Sequence, residues 1–160
     1  MIELAPARYD YPPHAAAIVT LMDTYARDPA GGGEPLCGFA RANLVAQLAA
    51  RPFIFSVLAF DDDTPVGLIN AIEGFSTFAC RPLVNVHDVI VAPHYRGRGI
   101  AGQMFGRVET LARQRGACKL TLEVLQGNAS ARTLYQRLGF TPYQLDPALG
   151  YAQFLHKHLD

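Results

Sequence analysis

The 160-residue sequence has no tryptophan, only three cysteines and no net charge. The last two shortages each exclude something. Cys37, Cys80 and Cys118 are too few and too scattered for a disulfide scaffold, and none stands in a Cys-x-x-Cys or Cys/His ligand spacing. They read as free thiols in a reducing compartment, with no metal expected. Cys118 heads an apolar run and reads as a packing residue. Fourteen basic side chains balance fourteen acidic ones, which argues against a nucleic-acid or membrane-surface partner. No apolar run approaches the ~18 residues of a membrane span. The start, MIELAPARYD, carries no charged-then-apolar leader pattern, so a cytoplasmic protein is expected. Half of the residues are hydrophobic and 18% are charged, which excludes a disordered chain. The length suits one domain over residues 1–160 that buries a core without crosslinks.

The balance of charge hides a segregation. Residues 1–95 hold five basic and ten acidic side chains, whereas residues 96–119 hold six basic ones against Glu109 alone. A positive block beside a negative one fits an anionic ligand on one part of the fold and leaves room for a cationic one nearby.

Hydrophobic spacing gives an α/β order. Residues 2–8 read as a short strand. Pro12-Pro13 opens a helix to about Arg27, and Asp28-Pro29-Ala30-Gly31-Gly32-Gly33 breaks it. A second helix runs from about Leu36 to Ala50. Phe53–Phe60 and Val66–Phe75, joined across Asp61–Pro65, read as a hairpin, and Val84–Val91 as a further strand. Gly99–Gly116 is a helix with Ile100, Met104, Val108, Leu111 and Ala112 on one face. Leu120–Leu125 reads as a strand, Asn128–Leu138 as a short helix, and 140–145 with 151–155 as a final strand pair.

Two segments carry chemistry. In Val89-Ile90-Val91-Ala92-Pro93-His94-Tyr95-Arg96-Gly97-Arg98-Gly99-Ile100-Ala101-Gly102, a β-branched strand runs into a Gly-rich turn that opens a helix. Glycines there let a ligand approach the backbone and turn consecutive N–H groups outward. The helix start adds about half a positive charge, so the segment suits a pyrophosphate. Arg96 and Arg98 can add charge-assisted bonds. Gly97-x-Gly99-x-x-Gly102 also matches a dinucleotide fingerprint, with Glu123 about 20 residues on where a ribose-binding acid belongs. Against an NAD enzyme, Pro93–Arg96 separates strand from first glycine, and only 58 residues follow Gly102. In the second segment Asn128 is a candidate helix N-cap and Gly139 a C′ glycine. Tyr135 lies two turns beyond Asn128. Asn128 can bond an amide-rich chain, and the Tyr135 hydroxyl can protonate a leaving group; both also suit purely structural roles as cap and core anchor.

Together these segments resemble the GNAT superfamily of acyl-CoA-dependent N-acetyltransferases. Arg96-Gly97-Arg98-Gly99-Ile100-Ala101 is similar to the family's Arg/Gln-x-x-Gly-x-Gly/Ala motif, and Asn128…Tyr135…Gly139-Phe140 follows in order; the resemblance is clear over about residues 84–140. It implies a GNAT fold: a central mixed, mostly antiparallel sheet of about six to seven strands flanked by about four helices. It implies a splayed strand pair that admits acetyl-CoA as cosubstrate. By the same resemblance, the backbone of Val89, Ile90 and Val91 binds the acetyl-pantetheine part, Arg96 to Gly102 hold the pyrophosphate, Asn128 bonds the pantetheine arm, and Tyr135 protonates the departing thiolate. The reaction is then direct attack of a neutral amine on the thioester, with a strand N–H stabilising the oxyanion and no metal. A homodimer is expected by analogy with family members.

A protonated amine needs a base, and Asp88, His87, Glu73 and Glu123 are the candidates. Asp88 and His87 adjoin on a strand, so only one faces a given acceptor. Glu73-Gly74-Phe75-Ser76-Thr77-Phe78 sets an acid beside two aromatics, so Glu73, Phe75 and Phe78, with Glu123, are candidate contacts for a small cationic amine. The alternatives are a protein or peptide N-acetyltransferase and a catalytically silent acyl-CoA-binding module.

Overall fold

The computed structural model describes residues 1–159. The chain divides into two compact units, one over Met1–Leu122 and one from Glu123 onward. The first contains a five-stranded sheet in the order β1 (Ile2–Pro6), β2 (Ile54–Asp61), β3 (Thr64–Ser76), β4 (Arg81–Val91) and β5 (Leu120–Leu122). Neighbours pair antiparallel except β4 and β5, which are parallel. Three helices belong to this unit: α1 (Pro12–Arg27), α2 (Gly38–Ala49) and α3 (Ile100–Gln114). Among the described residues no helix is long and apolar enough to cross a membrane.

The helices cover opposite faces of the sheet. Ile18 and Leu21 of α1 and Leu48 of α2 pack with Leu58, Leu68 and Ile90. On the other face Met104, Phe105 and Val108 of α3 are fully buried. A Cβ built on Gly67 of β3 would lie 2.9 Å from Met104 Sδ and 3.2 Å from the Ala59 Cβ, so the missing side chain lets α3 approach the sheet.

Local sequence explains most boundaries. Pro12-Pro13 presets the first turn of α1, and Asp28 ends it in extended conformation before a 3₁₀ turn over Pro29–Gly31. Cys37 caps α2, its Sγ accepting from the Ala40 N–H at 3.4 Å. The β2–β3 hairpin turns on Asp62-Asp63, with Asp62 at a φ of 51°.

One irregularity shapes the site. Asn70 of β3 stands opposite Asp88 of β4, but Ala71 stands opposite Val86. His87 is therefore an extra residue, a β-bulge. Beyond it toward the strand's C-terminus, β4 keeps β3 as a neighbour, whereas its pairing with β5 ends at Val86↔Leu122.

The second unit holds α4 (Ala129–Arg137), capped by Asn128, whose side chain accepts from the Ala131 N–H at 3.2 Å. The helix closes with Phe140 N–H on the Tyr135 carbonyl and Gly139 N–H on that of Gln136. Two expectations fail in this region. The strand expected over 120–125 stops at Leu122, and residues 140–145 and 151–155 form no strands. Pro142 supplies no donor for a ladder, Pro147 belongs to a 3₁₀ turn, and the backbone bond between the two runs is Ala152 N–H to Tyr143 C=O. Among the described residues the sheet thus has five strands rather than six to seven.

Candidate active site

After β4 the chain makes a 3₁₀ turn over Pro93–Tyr95, and Arg96 is extended. Gly97 and Gly99 both have a φ of +77°, a left-handed conformation that costs other residues about 1–2 kcal/mol. The first backbone bond of α3 runs from the Gln103 N–H to the Gly99 carbonyl. Ahead of it, the N–H groups of Gly97, Arg98, Gly99, Ile100, Ala101 and Gly102 have no protein acceptor among the described residues. A Cβ placed on Gly97, Gly99 or Gly102 would meet nothing within 4 Å. Six consecutive unpaired amides, open space over the glycines and the positive end of a 15-residue helix make an anion cradle.

The two arginines differ. Arg96 donates from Nε to the Val91 carbonyl at 3.1 Å and pairs with Asp28 at 3.0 Å, tying the turn to the end of α1. The Ala30 N–H, and then Arg96, hold the Asp28 carboxyl below the usual aspartate range. Arg98 lies 4.9 Å over the Tyr95 ring and, after the N-terminal amine, helps hold the Asp61 carboxyl below the usual range, yet it makes no direct ion pair among the described residues, so its guanidinium donors are open to a ligand.

The cradle adjoins the open edge of β4. Ala92 donates to the Val66 carbonyl at 2.9 Å, which makes Val66/Ala92 a hydrogen-bonded pair. Alternation then puts Gly67/Val91 and Ile69/Val89 in the other class. The amides of Val89 and Val91 therefore face away from β3, on the edge where β5 has ended. The bonded class holds Leu68/Ile90, so Ile90 directs its amide to β3 and its side chain into the core.

On the α1 face a polar row crosses the sheet. Ser56, Asn70 and Asp88 are register partners on β2, β3 and β4. Ser56 Oγ donates to Asn70 Oδ1 at 2.6 Å, and Asn70 Nδ2 donates to Asp88 Oδ2 at 2.9 Å. Tyr25, in the last turns of α1, feels the same region. Burial first, then the charges of Asp88 and Asp28, raise its phenol above the usual range.

The acetyltransferase (GNAT) family model matches residues 18–140. The chain belongs to the GNAT acetyltransferase family. An N-acetyltransferase of Bacillus subtilis (strain 168), YhfO, is 30% identical over 126 residues, covering 79% of this chain and 83% of that protein. Streptothricin acetyltransferase of Streptomyces lavendulae is 38% identical over 87 residues, which cover 52% of this chain but only 46% of that enzyme. The solved structure of a transcriptional regulator from Bacillus halodurans C-125 superposes with a TM-score of 0.81 over 99% of this chain and all of that one, at 15% identity, and so shares the fold.

GNAT enzymes use acetyl-CoA as cosubstrate, and the cradle suits the diphosphate of that molecule: consecutive free amides need an acceptor, and the glycines leave the approach clear. The dinucleotide reading of the same glycines falls with the topology, because the sheet is antiparallel but for one pair.

Other sequence-predicted residues lie elsewhere in the GNAT sheet. Glu73 of β3 forms an ion pair with Arg115 at 3.0 Å, and Arg115 in turn lies 4.6 Å over the Phe55 ring. Its charge is thus already matched, on the α3 side rather than with Asp88. Phe75 and Phe78 are exposed at the β3–β4 turn. Phe75 is eight β3 residues beyond Gly67, about 27 Å along the hairpin from the end that meets the cradle. His87 is exposed, and no hydrogen bond of its side chain is made among the described residues.

In the second unit, Asn128 spends its Oδ1 on the α4 cap and retains its amide protons. Tyr135 is buried, with its ring 6.0 Å from that of Phe140 in a T-shaped contact. Glu123 is exposed and begins this unit. Sequence reasoning missed Ser56, Asn70, Tyr25 and Asp28. A single Ser and a single Asn inside otherwise apolar strand runs were the available signal.

Proposed function

We propose that the chain is a single-domain N-acetyltransferase that moves the acetyl group of acetyl-CoA to the primary amine of a small cationic acceptor, by direct attack and without a metal. The observation that carries this reading is the open edge of β4, where the amides of Val89 and Val91 face outward beside six unpaired amides of the cradle. In this assignment Gly97 to Gly102 hold the diphosphate through main-chain N–H groups and Arg98 adds its charge. A β4 amide donates to the thioester carbonyl and is already aimed when negative charge develops there, so no reorganisation is needed. Asp88 takes the proton of the attacking amine, directly or through one water. Tyr135 returns a proton to the thiolate, and Asn128 donates to the pantetheine arm; both roles rest on the family motif.

A cationic acceptor is supported by charge. Residues 1–95 carry ten acids against five bases, and on the α1 face the fields of Asp88 and Asp28 meet at Tyr25. The name of one relative, streptothricin acetyltransferase, points to a small-molecule acceptor. The test is an amine panel including polyamines, amino-acid derivatives, neutral amines and a lysine peptide, followed by thiol release with mass confirmation of the added acetyl group. Turnover of small cationic amines is expected. Turnover of neutral amines or of the peptide alone overturns the acceptor class, and acetyl-CoA binding without any acetylated product overturns the enzyme in favour of a silent binding module.

A further inference from the structure

Under α1 an apolar row of the sheet adjoins a polar one. Two residues along the sheet stand Leu58, Leu68 and Ile90, all buried. In the next row stand Ser56, Asn70 and Asp88. Ser56 is 2% exposed and Asn70 4%. The row extends beyond the strands, because the Tyr9 hydroxyl lies 2.9 Å from Ser56 Oγ.

The donors in this string have a direction. Ser56 gives its only proton to Asn70 Oδ1, so Tyr9 donates to Ser56. With its oxygen taken, Asn70 presents its amide N–H to the carboxylate of Asp88, and it also contacts Met22 Sδ at 3.4 Å. Each bond orients the next and all end on one oxygen, Asp88 Oδ2. Such chains polarise each other in a low dielectric.

Stability does not account for the row. A buried hydrogen bond nets about 1 kcal/mol and each polar group gives up hydration, so an apolar row of similar volume would pack at least as well. The row does settle which way the Asp88 carboxylate is turned, at the point where β4 bulges and its edge opens.

We infer that Asn70 is a positioning residue, held by Ser56 and Tyr9, that fixes the Asp88 carboxylate in the orientation that receives the acceptor's proton. This rests on the reading of Asp88 as the base, and the experiment separates the two. Steady-state kinetics with acetyl-CoA and the best amine of the panel are measured for Asn70→Ala, Asp88→Asn and the double variant, with folding checked by circular dichroism and acetyl-CoA binding by calorimetry. Asn70→Ala is expected to lower kcat about 10- to 100-fold, the range of one hydrogen bond to a charged group, with KM for acetyl-CoA within about twofold. In the Asp88→Asn background the same substitution should cost less than about twofold, because its effect runs through Asp88.

If Asp88→Asn leaves kcat unchanged, the base assignment fails and the inference with it. If Asp88→Asn lowers kcat but Asn70→Ala does not, the inference alone is overturned. Equal losses from Asn70→Ala in both backgrounds mark a structural role and also overturn it. Should Asn70→Ala fail to fold, Ser56→Ala tests the same string more gently: it frees the Asn70 amide to rotate and should lower kcat about threefold only when Asp88 is present.

Discussion

A single methyl group placed on Gly67 probes how the sheet supports the cradle. In Gly67→Ala the new carbon would lie 2.8 Å from Met104 Cε, 2.9 Å from its Sδ and 3.2 Å from the Ala59 Cβ. Met104 is fully buried and sits one turn past Ile100, the first residue of α3. Overpacking of this kind costs about 1–3 kcal/mol. Replacing a strand glycine returns about 0.5–1 kcal/mol. The closest atoms end a flexible side chain, so the net should fall near 1 kcal/mol, about 2–4 °C in Tm for a chain of this size. Because relief comes from shifting Met104, the first turn of α3 moves with it, and KM for acetyl-CoA should rise several-fold with kcat retained. Thermal unfolding and initial rates measure both. The double variant Gly67→Ala/Met104→Ala supplies the control. Met104→Ala alone should cost about 2–5 kcal/mol, and the added methyl then fills part of the space, so the pair should cost less than the sum by about 1 kcal/mol. Strictly additive costs, or a Gly67→Ala protein more stable than wild type, would refute the reasoning.

Three further outcomes follow from the site. Gly99→Ala, at a φ of +77°, should destabilise by about 1–2 kcal/mol and weaken acetyl-CoA at least about tenfold in calorimetry, with Gly99→Asn milder on both counts; an unchanged titration in Gly99→Ala removes the cradle from coenzyme binding. The Asp28 carboxyl is lowered by the Ala30 N–H and by Arg96, so its contribution is present above the unfolded value of about pH 3.9 and lost as pH falls through the folded one. Urea unfolding should therefore show Asp28→Asn less stable than wild type at pH 7, by no more than about 1 kcal/mol for this partly exposed pair, and the gap should close below about pH 4; a gap that widens in acid reverses the sign and the argument. Glu73→Gln should leave KM for a cationic acceptor within about twofold, since Arg115 already matches that charge, and a tenfold rise would restore Glu73 to the acceptor site.

What was legible in the sequence was whatever local chemistry decides. Pro12-Pro13 and Asp28-Pro29 bracket α1 at Pro12–Arg27, as the spacing predicts. The sharp turn ahead of α3 was legible because Gly97 and Gly99 need a conformation that few other residues adopt. What required the partner strand was not legible. Nothing in Val86-His87-Asp88-Val89 announces a bulge; it exists only relative to Asn70 and Ala71 across the ladder. Glu73, Phe75 and Phe78 read as one local cluster, and only the ladder shows that Glu73 pairs with Arg115 while the two phenylalanines stand exposed at the β3–β4 turn. The apolar residues of 140–155 carry strand-like spacing, yet Tyr143, Leu145, Tyr151, Phe154 and Leu155 are exposed. Spacing alone does not supply a ladder.

The bulge also decides between two residues that alternation alone leaves open. Were β4 regular beyond Val86, His87 would stand opposite Asn70, and Asp88 would pair with Ile69 on the α3 face. The extra residue instead delivers the carboxylate to the polar row and leaves the imidazole exposed. Exchanging the two tests position without changing composition. His87→Asp/Asp88→His keeps one acid and one histidine in adjacent places, but it sets an imidazole against the Asn70 amide and moves the carboxylate out of the row. If the row position matters, kcat should fall as far as in Asp88→Asn while acetyl-CoA binding, which uses the cradle amides, stays within about twofold. If charge near the β4 edge were sufficient, the exchanged protein would keep most of its turnover, and the bulge would be only a bend in the strand.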